Sequence, residues 1–184
     1  MSNLKTKKFF EKITTAIKDI DEIGQGAEIY GKNSAGTGDC TLQKQTYQNP
    51  LAGQCNGRLY TEGGVAATAT TTTQSNDLFV VTPSTGKIKI LKTGHYLVMG
   101  KVSAYTGFTA EDRLDIRIQV NGSNNAICFA RERMSGTQQI ICLTRPLQYN
   151  ANDEINLAVT NYEAARGIVV STSMTMLQII RLGD

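Results

Sequence analysis

His95 is the single histidine of the chain, so any Ser-His-Asp or Cys-His relay would have to run through it. It stands beside a Thr93-Gly94 turn at the start of an apolar run, with no Gly-x-Ser-x-Gly nearby. That is the setting of a surface or rim histidine, not of a general base. Glu111, Asp112 and Asp115 form an acidic cluster that could hold a calcium ion or act as a glycosidase pair. Arg113 and Arg117 lie among them, and a solvated acidic loop is the plainer reading. Cys40, Cys55, Cys128 and Cys142 contain no Cys-x-x-Cys pair, and with one histidine they match no common zinc pattern. Cys128 and Cys142 lie almost symmetrically about Ser135-Gly136, where a hairpin could bring them together, but buried thiols are the expected state of all four. Arg131 and Arg133 share one face of a strand with Glu132 opposite, which reads as cross-strand salt bridging or subunit contact rather than an anion site. Gly24 and Gly26 lack the preceding strand and following Lys-Ser/Thr of a phosphate loop. The expectation is a non-enzyme with no metal and no cofactor.

Composition points the same way. The 184 residues are 40% hydrophobic but only 19% charged, below the usual quarter or so, and the polar surface is built from Thr, Asn, Gln, Ser and Gly. The net charge of +3 owes much to Lys5, Lys7, Lys8 and Lys12. A nucleic-acid partner needs a more concentrated basic face and is not expected. The opening MSNLKTKKFF has no apolar stretch behind it, because Glu11, Lys12, Lys18, Asp19, Asp21 and Glu22 interrupt. It is read neither as an export signal nor as a membrane span, and no membrane partner is expected.

Three regions follow from the patterning. Residues 1–23 form an N-terminal helix with Phe10, Ile13, Ile17 and Ile20 on one narrow stripe, closed by Gly24 and Gly26. Isoleucine at both seam positions favours three strands in a coiled coil, although the stripe could equally dock on another protein. Residues 24–76 lose periodicity and read as an extended Gly/Thr/Asn-rich linker or collar, ordered by lying on its neighbours, with "ATATTTT" as an edge strand. From residue 77 to 184 short alternating strands are separated by turns. "LDIRIQVNG" puts Leu114, Ile116, Ile118 and Val120 on one face and ends in Asn121-Gly122, a dipeptide suited to a tight hairpin. "AICFARE" and "TQQIICLTR" are expected to pair across Met134 to Gly136. With no helix to make parallel crossovers, the fold class is mainly β: an antiparallel sandwich of about eight strands.

The order "KIKILKTGHYLVMGKVSA", "LDIRIQVNG", "LQYNANDEINLAVTN", "TSMTMLQIIRL" resembles the jelly roll of the complement-q globular-head and tumour-necrosis-factor-like families, with Gly94, Tyr96, Asn121-Gly122 and Asp153 at the matching positions. The resemblance covers about residues 77 to 182 and implies a compact homotrimer.

That expectation bears on the closing strand. Met174, Met176 and Ile180 share one face while Leu177 and Ile179 sit on the other, so both faces must leave water. Either the chain covers both itself, or one faces a three-fold axis; the five residues are the expected trimer interface. Similar trimers serve bacteriophages as head fibres, capsid decorations and tail knobs. The resemblance therefore implies a virion structural protein made in the host bacterial cytoplasm. Its partners would be itself and, through Phe10, Ile13, Ile17 and Ile20, other virion proteins. Two alternatives keep the fold: a receptor-binding tip that recognises a host glycan or protein through Tyr105, Phe108, Glu111 and Asp112, and a small jelly-roll capsid subunit.

Overall fold

The computed structural model describes residues 2–31, 39–42, 45–60, 68–106, 113–123, 128–133, 139–161 and 168–184. A helix, α1 (Ser2–Glu22), precedes strands β1 (Gly26–Gly31), β2 (Asp39–Leu42), β3 (Cys55–Tyr60), β4 (Gln74–Ser75), β5 (Phe79–Thr82), β6 (Lys87–Ile90) and β7 (Gly94–Thr106). Then come β8 (Arg113–Val120), β9 (Cys128–Arg133), β10 (Gln139–Leu143), β11 (Leu147–Tyr149), β12 (Glu154–Asn161) and β13 (Ile168–Gly183).

Two antiparallel sheets form a sandwich. The first runs β10-β7-β13-β1-β3, with β11 also pairing β7 and β2 also pairing β13; the second runs β4-β5-β6-β12-β8-β9. Between them, alternation delivers one aliphatic row per strand: Ile116 and Ile118 from β8, Leu157 and Val159 from β12, Val98 and Val102 from β7, Leu177 and Ile179 from β13, all fully buried. Gly100 lies in this layer because a Cβ there would come within 2.6 Å of Leu157 Cδ1. Phe79, Tyr96 and Tyr149 close one end of the core in consecutive edge-to-face contacts, with ring centroids 5.8 and 6.0 Å apart.

The turn expected at Asn121-Gly122 is present, with φ of 54° and 67°. Asn121 also joins two turns: its Nδ2 donates to Asp153 Oδ1 at 2.8 Å and its Oδ1 accepts from the Glu154 amide at 2.9 Å.

Several expectations are corrected. Residues 24–76 are not a collar apart from the sandwich. β1 lies between β13 and β3, with Ala27 and Ile29 buried in the core, a contribution hidden by the brevity of "GAEIYG". "ATATTTT" is not a strand in its described part, which makes a single bridge from Thr70 to Gly57. β9 and β10 do not pair: β9 joins β8 in the second sheet and β10 joins β7 in the first. Each strand completes the edge of a different sheet, a choice that local alternation does not encode. Cys142 is disulfide-bonded, whereas Cys55 is a free buried thiol against the Pro83 carbonyl oxygen at 3.2 Å. The expectation of a buried thiol is therefore corrected at Cys142; a disulfide needs two side chains brought together by the tertiary fold, and residue spacing offered one there only as the less favoured alternative.

Candidate functional site

Cross-strand neighbours share a face, so the register of the first sheet maps its outer surface. One row reads Ile141, Lys101, Met176, Tyr30, Asn56; the next reads Leu143, Met99, Gln178, Glu28, Arg58; a third reads Leu97, Ile180, Gly26, Tyr60. From β10 to β13 this surface is mostly apolar. Ile141 and Leu143 are 56% and 55% exposed, and Leu97, Met99, Met176 and Ile180 are half-buried.

The β1–β3 end of the same face is polar and internally satisfied. Glu28, nearly buried, accepts from Arg58 Nη2 at 3.1 Å and from the Tyr60 hydroxyl. The Arg58 guanidinium lies over the Tyr30 and Tyr60 rings at 5.0 and 5.5 Å. Burial, then the hydrogen bond to Glu28, pushes the Tyr60 phenol above its ordinary pKa. One surface thus combines an apolar field with a preformed cation–aromatic border, the make-up of a protein–protein interface.

Of the five closing-strand residues expected at an interface, the register separates two groups. Leu177 and Ile179 point into the chain's own core and are fully buried, so a partner cannot reach them. Met176 and Ile180 point outward. The side chain of Met174 lies outside the described part.

Along α1, Phe10, Ile13 and Ile17 are 61%, 38% and 53% exposed; the Ile20 side chain is not described. These three side chains of the stripe are open to solvent. What holds the helix is its C-terminal end: Glu22 Oε2 lies 2.7 Å from Lys92 Nζ and 3.3 Å from Arg181 Nε. Arg181 is fully buried and also bonds Asp184 Oδ1 at 2.5 Å and the Tyr96 hydroxyl at 3.2 Å. Gly94 makes room for this guanidinium, since a Cβ there would collide with Arg181 Nη1. Burial pushes the Tyr96 phenol up, with Arg181 opposing. Sequence inspection missed this cluster; its one signal was an arginine at an inward position of an otherwise apolar strand.

The chemistry considered at the outset has little support from the described geometry. Asp115 does not join an open carboxylate group: it is fully buried and accepts from Arg131 Nε and Nη2 at 2.6 and 2.8 Å and from the Tyr47 hydroxyl at 3.3 Å. The cross-strand salt bridge expected of Arg131 is therefore present. His95 is exposed on β7, opposite Gln148. Among the described residues no group of three or more His, Cys, Asp or Glu is placed to hold a metal ion, and no helix is long and apolar enough to cross a membrane. Tyr105 falls on β7 with its side chain undescribed, and Phe108, Glu111 and Asp112 lie outside the described residues.

The sequence matches no family model and no curated protein. Among solved structures the chain is similar to Eiger, a TNF from S. frugiperda, at a TM-score of 0.50 and 16% identity over 88% of this chain and 94% of that one. The chain has a tumour-necrosis-factor-like jelly-roll fold. Two further similar structures are GITRL from pika, at a TM-score of 0.42 and 17% identity over 88% and 98% of the two chains, and murine APRIL, at 0.44 and 11% over 86% and 99%. Within the jelly roll, the four sequence positions that carried the resemblance are structural: Gly94 and Tyr96 accommodate Arg181, and Asn121-Gly122 with Asp153 tie two turns together.

Proposed function

We propose that the chain is a non-enzymatic structural protein of a bacteriophage particle. It is a homotrimeric head fibre or capsid decoration, joined to other virion proteins through its N-terminal helix and made in the cytoplasm of the host bacterium. The observation that carries the trimer is the apolar outer face of the first sheet, with Leu97, Met99, Met176, Ile180, Ile141 and Leu143 contiguous on β7, β13 and β10. Burying one such side chain contributes about 1.5–3 kcal/mol, and a closed three-fold arrangement repeats that gain at each of its interfaces. The exposed stripe of α1 supports attachment, because the helix is fastened to the body toward its C-terminal end, through Glu22 and the Lys18–Asp77 pair at 3.9 Å, and Ile13 and Ile17 remain open to another surface.

Light scattering on the full chain tests the trimer. The expected mass is three chains, falling to one chain for Met176→Lys combined with Ile180→Lys while the β-sheet circular dichroism is kept. A wild-type monomer overturns the reading. Glu at Ile13 and Ile17 is expected to leave the trimer intact and abolish incorporation into particles; unchanged incorporation overturns the attachment role. A second reading makes the knob a receptor-binding tip for a host glycan or protein, and the cationic outer face of the second sheet favours it.

A further inference from the structure

The outer face of the β8–β9 pair carries Arg113 opposite Arg133, Asp115 opposite Arg131 and Arg117 opposite Phe129. Four arginines and one carboxylate share six positions, in a chain whose whole net charge is +3. The carboxylate is engaged by Arg131 and Tyr47. Arg113 and Arg133 form a like-charge cross-strand pair, an arrangement that opposes sheet formation. Aromatic rings add to this face. Arg117 lies over the Tyr47 ring at 4.2 Å and the Phe129 ring at 5.2 Å, and Arg131 also lies over Phe129 at 5.2 Å. Phe129 is nevertheless 47% exposed at the open edge of the sheet.

We infer that this face binds an acidic polysaccharide, a chain of sugar rings bearing carboxylate or sulfate groups. Planar guanidinium groups match both anions with paired N–H donors. Phe129, 47% exposed beside these arginines, offers apolar surface against which a sugar ring can pack. Alternate residues on a strand are roughly 6.5–7 Å apart, so Phe129 and Arg133 are spaced along β9 with Arg113 and Arg117 facing them on β8, an extended arrangement suited to a polymer rather than a single small anion. The face belongs to the sheet that the proposed trimer leaves outside, and the inference does not depend on that trimer.

The test uses the full chain at 150 mM salt against immobilised hyaluronan for carboxylate, dextran sulfate for sulfate, plain dextran as the neutral control and single-stranded poly(dT) as a competing polyanion with stackable rings. Binding to one acidic polysaccharide and not to plain dextran is expected. Phe129→Ala and Arg133→Gln, both exposed and outside the core, should each weaken binding about tenfold without changing native mass or thermal unfolding. Overturning results are an absence of binding to both acidic polymers, binding that both variants retain, or poly(dT) bound as tightly as either. In the first two cases the arginines only guard an open sheet edge against pairing with other chains. A wild-type monomer that still binds hyaluronan or dextran sulfate would overturn the trimer and leave this inference standing.

Discussion

The two sheets are alike inside and opposite outside. Facing the core, both present mainly isoleucine, leucine and valine, interrupted in the first sheet by Gly100 and by the buried Arg181. On its outer face the first sheet continues apolar, through Leu97, Met99, Met176 and Ile180, whereas the second sheet becomes polar and nearly closed to water at Asp115, Gln119, Asn156 and Thr160. There Asn156 Nδ2 donates to Gln119 Oε1 at 3.0 Å and Asp115 is held by Arg131 and Tyr47. A face that satisfies its own polar groups asks for no cover. A face of half-exposed methionine and isoleucine gains from a second copy. On this contrast rests the proposal that assembly uses one sheet and recognition the other.

The sharpest way to break this comparison uses adjacent residues of β13. Leu177→Ala removes a fully buried side chain and is expected to cost about 2–5 kcal/mol of unfolding free energy. Met176→Ala, one position away and facing outward, should change the stability of the dissociated chain far less while weakening self-association. Denaturant titration at low concentration, paired with sedimentation, reads both, and equal losses of monomer stability would show that the outer face is already covered within the chain.

The second sheet offers a smaller effect. Asn156→Leu removes the donor to the buried Gln119 Oε1 and should cost about 1–3 kcal/mol; adding Gln119→Leu should recover part of it, because removing both partners of a buried pair is less costly than removing one. A double variant that also becomes prone to self-association would show that the polar pairs keep this face single.

The smallest effect at neutral pH belongs to Tyr149, whose phenol burial pushes up to about 12 from 10.0. A raised folded pKa means the folded state holds its proton longer than the unfolded chain. This contribution to stability is fully present below pH 10 and is lost as pH rises through about 12. Tyr149→Phe should flatten the alkaline part of the stability profile and leave the rest nearly unchanged.

Much of the architecture was legible because alternation and turn chemistry are local. "LDIRIQVNG" became β8 and its Asn-Gly turn, and the helical stripe became α1, within two residues of the expected ends. Strand partners were not legible. β9 and β10 have alternating patterns that fit each other as well as they fit β8 and β7, and only the competition for two sheet edges decides. In β13 the alternation showed two apolar faces but not which one turns inward; that depends on β7 and β1 on either side. The β8–β9 cluster escaped because Tyr47 is 68 residues from Asp115 in sequence.

β1 is hydrogen-bonded along its length to β13 on one side and to β3 on the other, and α1 feeds directly into it through Gly24, whose amide donates to the Arg181 carbonyl at 2.9 Å. A pull on the helix would therefore load β1 in shear, sharing the force among many backbone bonds at once instead of opening them one by one from an end. If the helix serves as the proposed tether, that is the mechanically resistant geometry, and the tether should yield before the sandwich does.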